Sequence, residues 1–101
     1  MKSMSPLHYN PTGLDLLQEA TPEGSLEWVL QQFGGPENLP EHIVERLRIP
    51  EVALAPLLDA MTNGDELWLC QSEKLGPLLG HKGIALVRDG QPIIYMRVIN
   101  Y

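Results

Sequence analysis

The dipeptide Asp89-Gly90 constrains this chain more than any other feature. It lies between two β-rich runs, Gly83–Arg88 and Gln91–Ile99. Both of its residues tolerate positive φ, which a type I′ hairpin turn demands. A two-residue loop there predicts that Arg88 faces Gln91, Leu86 faces Ile93 and Ile84 faces Tyr95. Val87, Pro92, Ala85, Ile94, Met96 and Val98 then occupy the opposite face. Both faces are apolar, whereas a half-solvated antiparallel sheet shows one polar face. Helices should therefore cover one side. The N-terminal arm, another helix or a second copy of the chain should cover part of the other. A face left uncovered would be an interaction surface, with Ile84, Leu86, Ile93 and Tyr95 as its candidate contacts.

The whole 101-residue chain reads as one domain, large enough to bury a core without disulfides or metals. Residues 1–11 hold Pro6 and Pro11 and read as an extended arm. Thr12-Gly-Leu-Asp15 resembles a capping box and predicts a short helix ending near Ala20. Thr21-Pro22 is a stronger helix start, with a capping hydroxyl and a proline that has no amide hydrogen to satisfy. Leu26, Val29, Leu30 and Phe33 follow at one-face spacing. Gly34-Gly35-Pro36 ends that helix. A third helix is expected over 40–48 and barred by Pro50, and a fourth near 54–62 ends at Asn63-Gly64. Strands are expected at 66–71, 83–88 and 91–99, with a connection across 72–82. The fold class is thus α+β: a helical part over 12–62, packed on a three-stranded antiparallel meander over 65–101.

The net charge of −6 is unevenly placed. Residues 1–60 carry nine acids and three bases, and the remainder carries four of each. An acidic helical half repels phosphate backbones, which disfavours nucleic acid as a partner and leaves a basic protein as the complement. No run approaches the roughly 20 apolar residues that a membrane-spanning helix needs. The first residues lack the apolar segment of a secretory signal, and a lone cysteine suits a reducing cytoplasm.

Chemistry-bearing residues are sparse. Cys70 is the only thiol and falls in a strand among apolar neighbours, the setting of a packed, inert cysteine. His8, His42 and His81 are scattered, with no His-x-x-x-His or Cys-x-x-Cys spacing, so neither a metal nor another cofactor is expected. Gly80-His81-Lys82-Gly83 could bring amides and cations to an anion, although a tight entry into a strand explains its glycines more simply. Asp65 and Glu66 are adjacent in an extended segment and would point apart. Trp68 reads as core. Trp28 lies off its helix's apolar stripe, and is either packed under the arm or exposed as an interface anchor.

Asp65-Glu-Leu-Trp68, followed by Gly80-His-Lys-Gly83 and Ala85-Leu-Val-Arg-Asp-Gly90, resembles a group of small uncharacterised bacterial proteins of the accessory or mobile-cassette type. The resemblance implies a strand, a loop and a hairpin. It implies no activity. The segment Lys74–Leu79 lacks the aromatic residue the group's pattern would place there. With no catalytic constellation visible, two functional readings stand. The first is a non-enzymatic protein-interaction module, self-associating through the sheet or neutralising a basic partner in the manner of an immunity protein. The second is a small-molecule or minor catalytic site between helices and sheet, lined by Trp68, Cys70, His81 and Lys82.

Overall fold

A computed structural model describes residues 7–72 and 80–100. Asp89 (φ 54°) and Gly90 (φ 79°) form the expected reversal. It joins β4 (His81–Arg88) to β5 (Gln91–Asn100). Arg88 faces Gln91 and Val87 faces Pro92, but the register then slips: Leu86 faces Ile94, Ala85 faces Tyr95 and Ile84 faces Met96. Ile93 is the extra residue of a β-bulge. Proline has no amide to give the ladder and is tolerated in strands at such irregularities, so Pro92 accounts for its position. The slip corrects the expected pairing and moves Tyr95 to the face opposite Ile84 and Leu86.

The sheet has five strands rather than three. β1 (Leu7–Tyr9), β2 (Leu14–Ala20) and β3 (Glu66–Ser72) complete it in the order β1-β5-β4-β3-β2, every pair antiparallel. The expected meander is its centre. The helix expected over 12–20 is instead the edge strand β2. Leu14 and Leu16 turn inward beside Cys70, and a bulge at Leu17 shifts the pairing between Leu16 and Gln18. Of the connection expected over 72–82, residues 73–79 lie outside the described residues, while His81 and Lys82 already belong to β4.

The two edge strands β1 and β2 are joined by only residues 10–13. Crossing a flat five-stranded sheet takes four strand spacings, about 19 Å. The five residue steps from Tyr9 to Leu14 reach at most about 18 Å when fully extended. Asn10 (φ 50°) and Gly13 (φ 72°) turn this link and shorten it further. The sheet must therefore curl until its edges approach, and residues 10–13 form a strap across the inner face.

Four helices cover the outer face: α1 (Pro22–Gln32), α2 (Glu41–Leu47), α3 (Pro50–Ala53) and α4 (Ala55–Ala60), with a 3-10 turn at Pro36–Asn38. The Gly24 amide donates to Thr21 Oγ1 at 2.9 Å and caps α1. At its other end Gly34 donates to Gln31 O and Gly35 to Leu30 O, the paired bonds of a Schellman stop. Pro50 ends one helical segment and supplies the first residue of the next. The main core lies between the layers, where Leu26, Val29, Leu54 and Leu57 meet Leu67, Leu69, Ile84, Leu86 and Ile94. On α1 the buried residues are Ser25, Leu26 and Val29, while Phe33 is exposed. The buried face is rotated from the expected stripe toward the small Ser25, and Trp28 packs half-buried against the same core.

Arg88 ties the layers together. Its Nε and NH2 donate to the two oxygens of Asp65 at 2.9 and 2.8 Å, and NH2 also donates to the Ala60 carbonyl at the end of α4. Thr62 donates through its amide and its hydroxyl to the same carboxylate. These bonds, led by Arg88, hold the Asp65 carboxyl far below the usual carboxylate range and push the Arg88 guanidinium up. The residues carrying the C-terminal motif thus have structural work: Asp65 and Arg88 clasp, and Asp89-Gly90 turns.

Candidate functional site

The curl sorts the second apolar face into two parts. Cys70, Ala85, Val87 and Tyr95 form a small inner core with Leu14, Leu16 and Trp68 against it. At its open end, toward the strap, the lining becomes polar. His8 faces Tyr95 across the β1–β5 ladder, and their ring centroids stand 6.1 Å apart. His81, at the start of β4, brings its Nδ1 to 2.8 Å from the Tyr95 hydroxyl, with ring centroids 5.4 Å apart. Its backbone amide donates to Ser72 Oγ, which pins the start of β4 to the end of β3. Arg97, two residues past Tyr95, shares this face. Together with Tyr9, Asn10, Pro11, Thr12 and Leu14, these side chains line a cleft of about 310 Å³ roofed by the strap.

Backbone geometry makes room for it. β4 and β5 leave no room for a side chain at Gly83. A Cβ there would collide with the Met96 carbonyl oxygen and come to 2.9 Å from Tyr95 Cε1. The absent side chain leaves room for the Tyr95 ring beside Gly83, with its hydroxyl at His81. Electrostatics are one-sided. No carboxylate lines the cleft among the described residues, and Arg97 has no ion-pair partner among them. Burial, with Arg97 and His8 nearby, pushes the His81 imidazole below its usual range. The cleft therefore presents hydrogen-bond donors and latent positive charge in a chain of net charge −6.

The residues singled out in the sequence are placed apart. His81 lies in the cleft. Lys82 is half-buried on the alternate side of β4. Cys70 has no exposed surface, and burial pushes its thiol up to about 12, the setting of a packed cysteine. Trp68 is half-buried, and its Nε1 donates to Glu66 Oε1 at 2.9 Å. Ile84 and Leu86 lie fully buried beneath the helices, and Tyr95 is 1% exposed on the inner face. These three offer no surface to a partner. Ile93, the bulge residue, is half-buried against the main core, as is Trp28. His8 and Arg97 were not singled out. They are far apart in sequence, and only the β1–β5 pairing brings them together.

Other grooves are less convergent. One, about 610 Å³ between α1 and the α2–α3 corner, exposes Glu23 and Glu27 with Arg48 over an apolar floor. Among the described residues, no three His, Cys, Asp or Glu side chains are placed to hold a metal ion, and no helix is long and apolar enough to cross a membrane. Comparison with protein-family models, with curated proteins and with solved structures finds no match to this chain.

Proposed function

We propose that this protein binds a small molecule in the cleft beneath the 10–13 strap. The observation that carries the reading is the convergence of His8, His81, Tyr95 and Arg97 from three strands, at one end of an otherwise apolar inner face. Small-molecule sites combine apolar walls with a few placed polar groups in this way. The cleft, at about 310 Å³, falls at the small end of the range for such sites. It lies on the face away from the helices, not between helices and sheet. The self-association reading drew on surplus apolar surface at Ile84, Leu86, Ile93 and Tyr95; Ile84, Leu86 and Tyr95 are buried within the chain and Ile93 is half-buried.

A thermal-shift screen against a metabolite panel tests the proposal. A ligand that binds only the native state at a hundredfold excess over its Kd stabilises by about 2.7 kcal/mol. The expected result is a hit whose shift disappears in His81→Gln. Hits that survive His81→Gln and Arg97→Gln alike, or no hit across the panel, would count against the cleft.

A further inference from the structure

We propose that the ligand is a small organic anion, a carboxylate or a phosphate monoester, whose charged end is held by Arg97, His81 and His8 and whose apolar body packs on Pro11 and Leu14. This rests on the cleft being the ligand site, and it names the chemistry that site would select.

The charge pattern carries the inference. Arg97 brings a guanidinium into the cleft, and no carboxylate among the described residues pairs with it. His8 and His81 flank the same Tyr95 ring from β1 and β4. The described neighbours facing His81 are Ser72 from β3, Tyr95 and Arg97 from β5, His8 from β1, and the polar strap residues Asn10 and Thr12. None is acidic. Three groups able to carry positive charge are thus gathered without a carboxylate among the described residues to pair with them, while the chain as a whole carries an excess of acids. Such an arrangement disfavours itself in the empty protein and is relieved by an incoming oxyanion. Arg97 supplies a fork suited to either oxyanion, and the Tyr95–His81 bond fixes the ring edge that faces it.

A coupling to pH follows. Burial, with Arg97 and His8 nearby, lowers the affinity of the His81 imidazole for a proton. An anion offsets that repulsion, so binding takes up a proton and protonation tightens binding, by the same factor in each direction. Affinity therefore rises as pH falls.

The test uses the full chain and histidine ring NMR signals, with 3-phenylpropionate, its neutral amide and phenyl phosphate as probes. At pH 6, 3-phenylpropionate or phenyl phosphate should move the His8 and His81 signals in a saturable way. The amide should bind at least tenfold more weakly. Affinity for the anion should increase several-fold between pH 7.5 and pH 5.5. Arg97→Gln should weaken the anion at least tenfold, while Arg48→Gln, in a different groove, should leave it unchanged. Which of the two anions binds more tightly separates carboxylate from phosphate. Amide and carboxylate binding equally well would overturn the anion inference and leave the cleft as a ligand site. Anion binding that Arg97→Gln does not alter would overturn it too. His8 and His81 signals unmoved by all three probes would overturn it as well, and the metabolite screen then decides separately whether the cleft binds anything. The wild-type signals alone keep the test decisive should Arg97→Gln fold poorly.

Discussion

Gly83→Ala is the sharpest probe of how this sheet is built. The position has ordinary extended backbone, so the substitution carries no penalty of handedness. Its cost comes from space. The new Cβ would meet the Met96 carbonyl oxygen, with Tyr95 Cε1 at 2.9 Å and Arg97 Cα at 3.0 Å. Two of those neighbours are backbone, held by the β4–β5 ladder, so neither can swing aside. Overpacking of this kind costs about 1–3 kcal/mol, and prising the strands apart weakens a ladder bond worth about 1 kcal/mol. Alanine lowers the entropy of the unfolded chain, which offsets about 0.4–1 kcal/mol. The balance is a loss of about 2–3 kcal/mol, or roughly 10–20 °C in Tm for a domain of this size. Gly90→Ala is the control. That site has open space around it but φ of 79°, so only the left-handed backbone penalty of about 1–2 kcal/mol applies. Urea denaturation of the three proteins gives the comparison. The His81 ring signal should also move in Gly83→Ala, because the displaced Tyr95 ring carries its partner hydroxyl. A Gly83→Ala protein within about 0.5 kcal/mol of wild type, or less affected than Gly90→Ala, would refute the close approach of β4 and β5.

Four further outcomes are expected. The Asp65 carboxyl, depressed chiefly by Arg88, contributes stability that is complete above its unfolded value near 4 and is lost as pH falls through its lower folded value; urea midpoints measured between pH 2 and pH 5 should therefore fall less steeply in Asp65→Asn. His81, depressed by burial, works in the opposite sense: its protonation favours the unfolded chain, so stability without ligand should decline as pH drops below about 6.5, and His81→Gln should flatten that slope in a pH series of thermal melts. Cys70 is fully buried, and a disulfide reagent at pH 8 should modify it only as fast as the chain opens, with immediate labelling speaking against the inner core. Leu57→Ala removes a fully buried side chain between helices and sheet and should cost about 2–5 kcal/mol by urea denaturation.

What was legible in the sequence was local. The Asp89-Gly90 turn, the Thr21 cap and the Gly34-Gly35 stop each depend on a few adjacent residues with special backbone or hydrogen-bonding properties, and each stands where the sequence puts it. What was illegible depended on distant partners. Leu14, Leu16 and Leu17 suit a short helix or an edge strand, and the pairing of β2 with β3 decides between them. β4 and β5 shift register twice, at Ile93 and at Val98, and the shift at Ile93 decided which face Tyr95 occupies. Pro92 was its available signal, since a ladder position without an amide hydrogen invites an irregularity. That single slip exchanged Tyr95 between faces, and with it the whole reading of surplus apolar surface. His81 was a candidate from its turn-like surroundings, but His8 and Arg97 join it only through the β1–β5 register.

The strap reconciles a sheet with two apolar faces and a chain of this size. A flat five-stranded sheet would need a second layer over its inner face, and the described helices all lie on the outer one. Curling replaces that layer with the sheet's own edges: Leu14 and Leu16 of β2 come over Cys70, Ala85 and Tyr95. The short link from Tyr9 to Leu14 holds the edges close, and the bond from the Asn10 amide to the Ile93 carbonyl fastens its first residue to β5 beside the bulge. The cleft opens at the end where His8, His81 and Arg97 gather, polar groups that are costly to bury in an apolar interior without partners. The segment that closes the fold thus also roofs the cleft. Any ligand there must pack against residues whose spacing sets the curl, so binding and stability should rise and fall together in variants of the strap.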